Sequence, residues 1–250
     1  MTGRAEQRLS KRQQRLSEKG VSKFPTIGHL NFELQKIQPK TQNQNLVFKA
    51  YERGENICLL GCAGTGKTFI SIYNALRDIE DRSSPIRKLI IVRTAQPTKA
   101  IGHLPGDEKK KLEVYEAPYK AICSELYHRA DAYDILKTKG IIEFHSTSFL
   151  RGTTIDDAVI LIDEAQSQSY IELKTVVTRT GANSRVLICG DIRQDDLSSE
   201  RYKEVSGLPL LLTVLKKMQS ITSVGFVPAD IVRSGFVREF IEAEYELGLY

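Results

Sequence analysis

The 250-residue chain contains no tryptophan, two methionines, four cysteines and eight prolines. Without tryptophan it lacks the broadest side chain on which a nucleobase stacks. No apolar run approaches the roughly 18 residues of a membrane span, and the first residues hold no apolar stretch of a secretory leader. A soluble, cytoplasmic protein is therefore expected. Cys58, Cys62, Cys123 and Cys189 never pair as C-x-x-C, and three of them lie in or beside apolar runs, so they read as buried thiols in a reducing compartment. His29, His103, His128 and His145 are scattered without ligand spacing, which argues against a zinc-type centre.

Hydrophobic residues make up 41% of the chain and charged residues 27%, which is ordinary for a globular protein, and the length suits one substantial domain. The formal charge of +5 is unevenly placed. Residues 1–23 carry seven basic side chains against two acidic ones, leaving 29 of each sign in the remainder. The division expected is a basic arm over residues 1–30, partly disordered or helical, followed by a neutral domain over 31–250. An arm of this kind suits a polyanion such as RNA or single-stranded DNA; read alone, it is equally a solvated terminus.

Beyond the arm, short apolar runs recur between turn signals: NICLLG (56–61), KLIIVR (88–93), IIEFH (141–145), AVILID (158–163), RVLICG (185–190) and ITSVGFV (221–227). Their continuous apolar character, in place of alternation, fits strands covered on both faces. Stretches with helical spacing separate them: Phe69 to about Arg82, Leu112–Tyr127, Ile171–Val177, Leu210–Met218 and Phe236–Tyr245. The class expected is α/β with a mostly parallel sheet flanked by helices.

Three of the strands end in chemistry. Gly61-Cys62-Ala63-Gly64-Thr65-Gly66-Lys67-Thr68 fits G-x-x-x-x-G-K-[ST] between a strand and a helix. Glycines at such a turn let backbone N–H groups converge on phosphate oxygens at a helix N-terminus. Gly61, Ala63, Gly64, Thr65 and Gly66 would line the cradle, Lys67 would reach the β- and γ-phosphates of ATP, and Thr68 would ligate Mg²⁺. The run AVILIDEAQ places Asp163 to hold the metal and Glu164 to activate a water. A third strand ends at Gly190-Asp191-Ile192-Arg193-Gln194, where Gln194 could sense the γ-phosphate; a Gly-Asp turn taken alone carries little. Ligands of open α/β sheets bind at the carboxyl ends of strands, so one crevice is implied.

Together these elements resemble the first RecA-like lobe of superfamily 1 helicases, and more closely the PhoH family of P-loop ATPases. Further phrases carry that resemblance: Gly102-His103-Leu104-Pro105-Gly106-Asp107, Phe149-Leu150-Arg151-Gly152-Thr153-Thr154-Ile155, Gly190-Asp191 with Gln194, Asp196 and Leu197, and Asp230-Ile231-Val232-Arg233-Ser234. It spans about residues 35–248. Lys40-Thr41-Gln42-Asn43-Gln44 is similar to the family's [RK]-T-x-N-Q, where Gln44 takes the role of an adenine-reading glutamine; without the family it is a polar loop. The resemblance makes Arg233 the arginine that reaches a γ-phosphate, across a subunit interface; without the family it is a surface arginine at a helix start. Ile192-Arg193 departs from the family's proline-containing turn. The short form resembles phage-encoded members, whose compartment would be the host cytoplasm.

The resemblance implies a Mg²⁺-dependent ATP hydrolase assembled as a homo-oligomer, a ring of six, acting on RNA or single-stranded DNA as a helicase or remodelling motor. The basic arm and Lys99–Lys111, with Lys109-Lys110-Lys111, are the expected phosphate contacts. Two other classes stay open at this point: a P-loop phosphotransferase, for which an acceptor site and arginine-bearing lid are not evident, and a slow nucleotide-dependent switch or assembly protein.

Overall fold

The computed structural model describes residues 31–94, 108–147, 152, 154–191 and 205–248. The basic arm, Gly102–Asp107, Phe149–Arg151 and the Gln194, Asp196 and Leu197 positions lie outside them.

Six strands form one sheet: β1 (Asn56–Gly61), β2 (Lys88–Val92), β3 (Ile142–His145), β4 (Ala158–Ile162), β5 (Arg185–Gly190) and β6 (Ile221–Phe226). Their order is β3-β2-β4-β5-β1-β6, and every neighbouring pair is parallel. The expected sheet is thus wholly parallel in the described strands. The residues of β4 are buried throughout, as a strand covered from both sides must be.

Helices α1 (Gln42–Glu52), α2 (Lys67–Glu80), α3 (Glu108–Tyr127) and α4 (Ala132–Thr138) build the first layer. Their apolar residues, among them Val47, Ile72, Leu76, Cys123 and Leu136, share a core with Leu59, Ile91, Leu161 and Leu187 of the sheet. On the opposite face, α5 (Tyr170–Val177) and α6 (Leu208–Leu215) supply Leu173, Val176, Leu208, Leu211 and Leu215 against Ile160, Ile162 and Ile188. Successive strand residues point to alternate faces, so one apolar run feeds both cores. A last helix, α7 (Gly235–Glu246), is buried only at Ile241, which packs with Ile231 and the phosphate-loop residue Cys62.

Helix α1 begins in the stretch that reads, without the family, as a polar loop. Thr41 caps it, its hydroxyl accepting the Gln44 N–H at 3.2 Å. Helix α5 is fixed by a reciprocal cap in which Ser169 and Glu172 each satisfy the other's backbone N–H.

In the sheet order β5 separates β1 from β4, and Cys189 of β5 pairs with Leu59 while Ile188 pairs with Ile162. The phosphate loop after β1 and the carboxylates after β4 therefore face one another across the end of β5. Gly190 closes that end; a Cβ there would lie 2.9 Å from Leu208 and 3.4 Å from Gln166 Oε1.

Candidate nucleotide and metal site

Gly61 leaves β1 with φ of +127°, and a Cβ on it would come within 2.0 Å of the Phe226 carbonyl oxygen. Only glycine fits, because neighbouring β6 presses its backbone against the start of the turn. Thr65 is fully buried and its hydroxyl donates to the Cys62 carbonyl at 3.0 Å, stapling the loop upon itself. Lys67 opens α2, and its ammonium donates to the carbonyls of Gly61 at 2.6 Å and Cys62 at 2.7 Å. These bonds hold the cation over the concave side of the loop, beside the helix N-terminus, where a phosphate oxygen would be received.

The next residue ties the loop to β4. Thr68 donates its hydroxyl to Asp163 Oδ1 at 2.9 Å, across 95 residues of sequence. Asp163 is 4% exposed; burial first, then the adjacent Glu164, raises its pKa above the ordinary value, while bonds from Tyr119 and Thr68 and the charge of Arg93 work the other way. A hydroxyl and a carboxylate oxygen in contact at the mouth of a phosphate loop are hard oxygen donors, few in number, and suit Mg²⁺ that completes its shell with phosphate and water. The residues present therefore fit the metal.

Glu164 adopts the left-handed region, φ 50° and ψ 48°, which non-glycine residues seldom occupy. This turns the chain sharply after β4. Gln166 donates Nε2–H to Glu164 Oε2 at 2.6 Å and accepts the Asp191 N–H on Oε1 at 3.0 Å, so one buried amide links the carboxylate to the end of β5. Gln168 donates to the Asp163 carbonyl at 3.1 Å.

Two segments remote in sequence flank the loop. Gln44 is 3% exposed; its Oε1 accepts the Lys40 N–H at 2.8 Å and its Nε2 donates to the Thr65 carbonyl at 2.9 Å. On the other side the Val232 N–H donates to the Gly64 carbonyl at 3.0 Å. Arg233 is exposed, and its Cγ lies 2.9 Å from where a Gly64 Cβ would stand. Gln44 and Arg233 thus both touch the phosphate loop of their own chain.

The structure brings together Gln44, Gly61 to Thr68, Asp163, Glu164 and Arg233, whereas Gln194 lies outside the described residues. It adds Arg93, Tyr119 and Gln166, which sequence pattern alone does not select. For Arg93 a signal exists: a basic residue closing the apolar run KLIIVR at the carboxyl edge of the sheet. Tyr119 has none, since its contact joins residues 44 positions apart.

The family described as PhoH-like protein matches residues 36–246. A PhoH-like protein of Bacillus subtilis is 35% identical over 209 residues, which cover 83% of this chain and 63% of that protein. Protein PhoH of Escherichia coli is 30% identical over 209 residues, covering 83% and 58% respectively. The chain spans about three-fifths of the length of these relatives. Among solved structures, the large terminase of the thermophilic bacteriophage D6E aligns over 83% of this chain and 50% of its own with a TM-score of 0.47 and 8% identity, a likeness too slight to argue from.

Proposed function

Because the chain belongs to the PhoH family, we propose that it is a Mg²⁺-dependent ATP hydrolase that couples turnover to RNA or single-stranded DNA, as a helicase or remodelling motor. The observation that carries the hydrolase reading is the Thr68–Asp163 contact, which joins the phosphate loop to the strand bearing the acidic pair.

In this reading Lys67 exchanges its bonds to the loop carbonyls for the β- and γ-phosphates, and its charge offsets what develops on them as the bond breaks. Thr68 and Asp163 would hold Mg²⁺, whose charge supports the same phosphate oxygens. Glu164 takes the proton of the attacking water, and Gln166 fixes the direction of its carboxylate. Arg233 extends from the rim of the loop toward the γ-phosphate, and Gln194 senses it from the segment after β5. Gln44 meets the nucleotide from the side of α1, where it also braces the loop.

The sheet supplies one wall of a nucleotide site. A second copy would close the open side, and a heterologous contact repeated around a ring does so without an open filament. Six copies is the number the family resemblance implies. The positively charged arm supports a polyanionic partner. No helix among the described residues is long and apolar enough to cross a membrane, and the cytoplasm is the compartment proposed.

Glu164→Gln tests the role of the base. The variant should bind ATP as tightly as the wild type and lower single-turnover cleavage by about 10²–10⁴-fold. Cleavage at the wild-type rate would reject Glu164 as the base.

A further inference from the structure

We propose that Tyr119, backed by Arg93, is a positioning residue that presents Asp163 to the metal. The inference rests on Asp163 being the metal carboxylate, and it assigns a role to two side chains outside both nucleotide motifs.

A buried carboxylate with one engaged oxygen still turns about its last torsion, which is broad for aspartate. Here both oxygens are engaged. Thr68 donates to Oδ1 at 2.9 Å, and the Tyr119 hydroxyl donates to Oδ2, also at 2.9 Å. The plane of the carboxylate is thereby fixed, with Oδ1 on the side of the phosphate loop.

Tyr119 is itself immobilised. It is fully buried in the middle of α3, and its ring packs against Phe144 of β3 with centroids 5.7 Å apart. A phenol has one proton to give. That proton goes to Asp163, leaving the oxygen to accept, and the Arg93 side chain hydrogen-bonds it.

Arg93 is placed by the sheet. It follows β2, whose Val92 pairs with Ile162 of β4, and the Asp163 N–H donates to the Val92 carbonyl at 2.9 Å. The guanidinium consequently lies near Asp163 and Glu164 together, with the Tyr115 ring 6.0 Å away on its flank. One cation thus serves two adjacent carboxylates and the phenol that holds the first of them. A partner that orients a metal ligand in this way typically changes metal affinity by about 10–100-fold when removed.

The test is Mn²⁺ binding to the full chain in the presence of excess ADP, followed by electron paramagnetic resonance, for the wild type, Tyr119→Phe, Arg93→Gln and Arg93→Lys. ADP affinity in EDTA and the melting temperature are measured alongside. Tyr119→Phe and Arg93→Gln should weaken Mn²⁺ about tenfold while metal-free ADP affinity stays unchanged, and Arg93→Lys should recover part of the loss. Mn²⁺ affinity in both Tyr119→Phe and Arg93→Gln within about twofold of the wild type, even with a lowered melting temperature, would overturn the proposal. If one of these variants does not fold, the other decides. Wild-type protein that holds no Mn²⁺ with ADP would instead overturn the parent reading of the site, and this role with it.

Discussion

Asn43 Nδ2 donates to Asp230 Oδ2 at 2.7 Å, a bond between residues 187 positions apart. It fastens the segment that opens α1 to the segment that follows β6. Each of these segments also bonds the phosphate loop, through Gln44 to Thr65 and through Val232 to Gly64. Two phrases that look unrelated in sequence are therefore the two sides of one collar around the nucleotide turn.

The collar should register in stability. Asp230 is 4% exposed and also accepts the Val227 N–H at 3.0 Å, so Asp230→Ala deprives two part-buried donors of a charged acceptor. The expected loss is about 2–3 kcal/mol, with Asn43→Ala losing less and the two coupled by about 1–2 kcal/mol in a double-mutant cycle. Additive effects in urea unfolding would show that the bond carries no energy of its own.

Arg233 can be assigned to a subunit by mixing. Its stem lies on Gly64 of the same chain, so we expect it to serve the nucleotide of its own subunit even if a ring forms. Lys67→Ala and Arg233→Ala should each be inactive, and co-assembled mixtures should stay inactive, because every site then lacks one of the two groups. Recovery of ATPase activity in the mixture would move the arginine across an interface.

Much of this architecture is legible in the amino-acid pattern alone. The six apolar runs delimit the six strands to within one residue at each end; the pattern is cleanest in β4, which is buried throughout, and looser at the two edge strands, where β3 carries Glu143 and β6 carries Thr222 and Ser223. Lys67, Thr68, Asp163 and Glu164 are legible for a related reason: each belongs to a pattern set by local chain geometry at a strand end. Helix α1 escapes the pattern because its inward face includes Gln44 beside Val47, Phe48 and Tyr51, so the apolar stripe is broken at its first turn. Helix α4 has seven residues, too few for a period to show. The Tyr119–Asp163 and Asn43–Asp230 bonds depend on which helix crosses over which strand, and neither partner's neighbours in sequence record that.

At the edge of the sheet a pH effect follows. The His145 ring nitrogen at 2.9 Å foremost, and then the Lys88 ammonium at 2.8 Å, hold the pKa of Glu143 down from 4.5 to about 2 against the opposing effect of burial. A depressed carboxylate pKa stabilises the fold above its unfolded value, and that contribution disappears as pH falls through the folded value. Glu143→Gln should lower stability by about 1 kcal/mol or less near neutrality, since the group is partly exposed. The difference should shrink below pH 4.5 and vanish near pH 2. A difference in melting temperature that persists unchanged to that pH would contradict the assignment.

In the proposed function the Lys67, Thr68, Asp163 and Glu164 constellation hydrolyses ATP in service of a nucleic acid. Steady-state ATPase with Mg²⁺, with and without single-stranded RNA or DNA and with Lys67→Ala as the blank, tests it most directly. Turnover that Lys67→Ala abolishes and that one of the two polymers stimulates is the expected result. Turnover that survives in Lys67→Ala, or that responds to neither polymer, would contradict it.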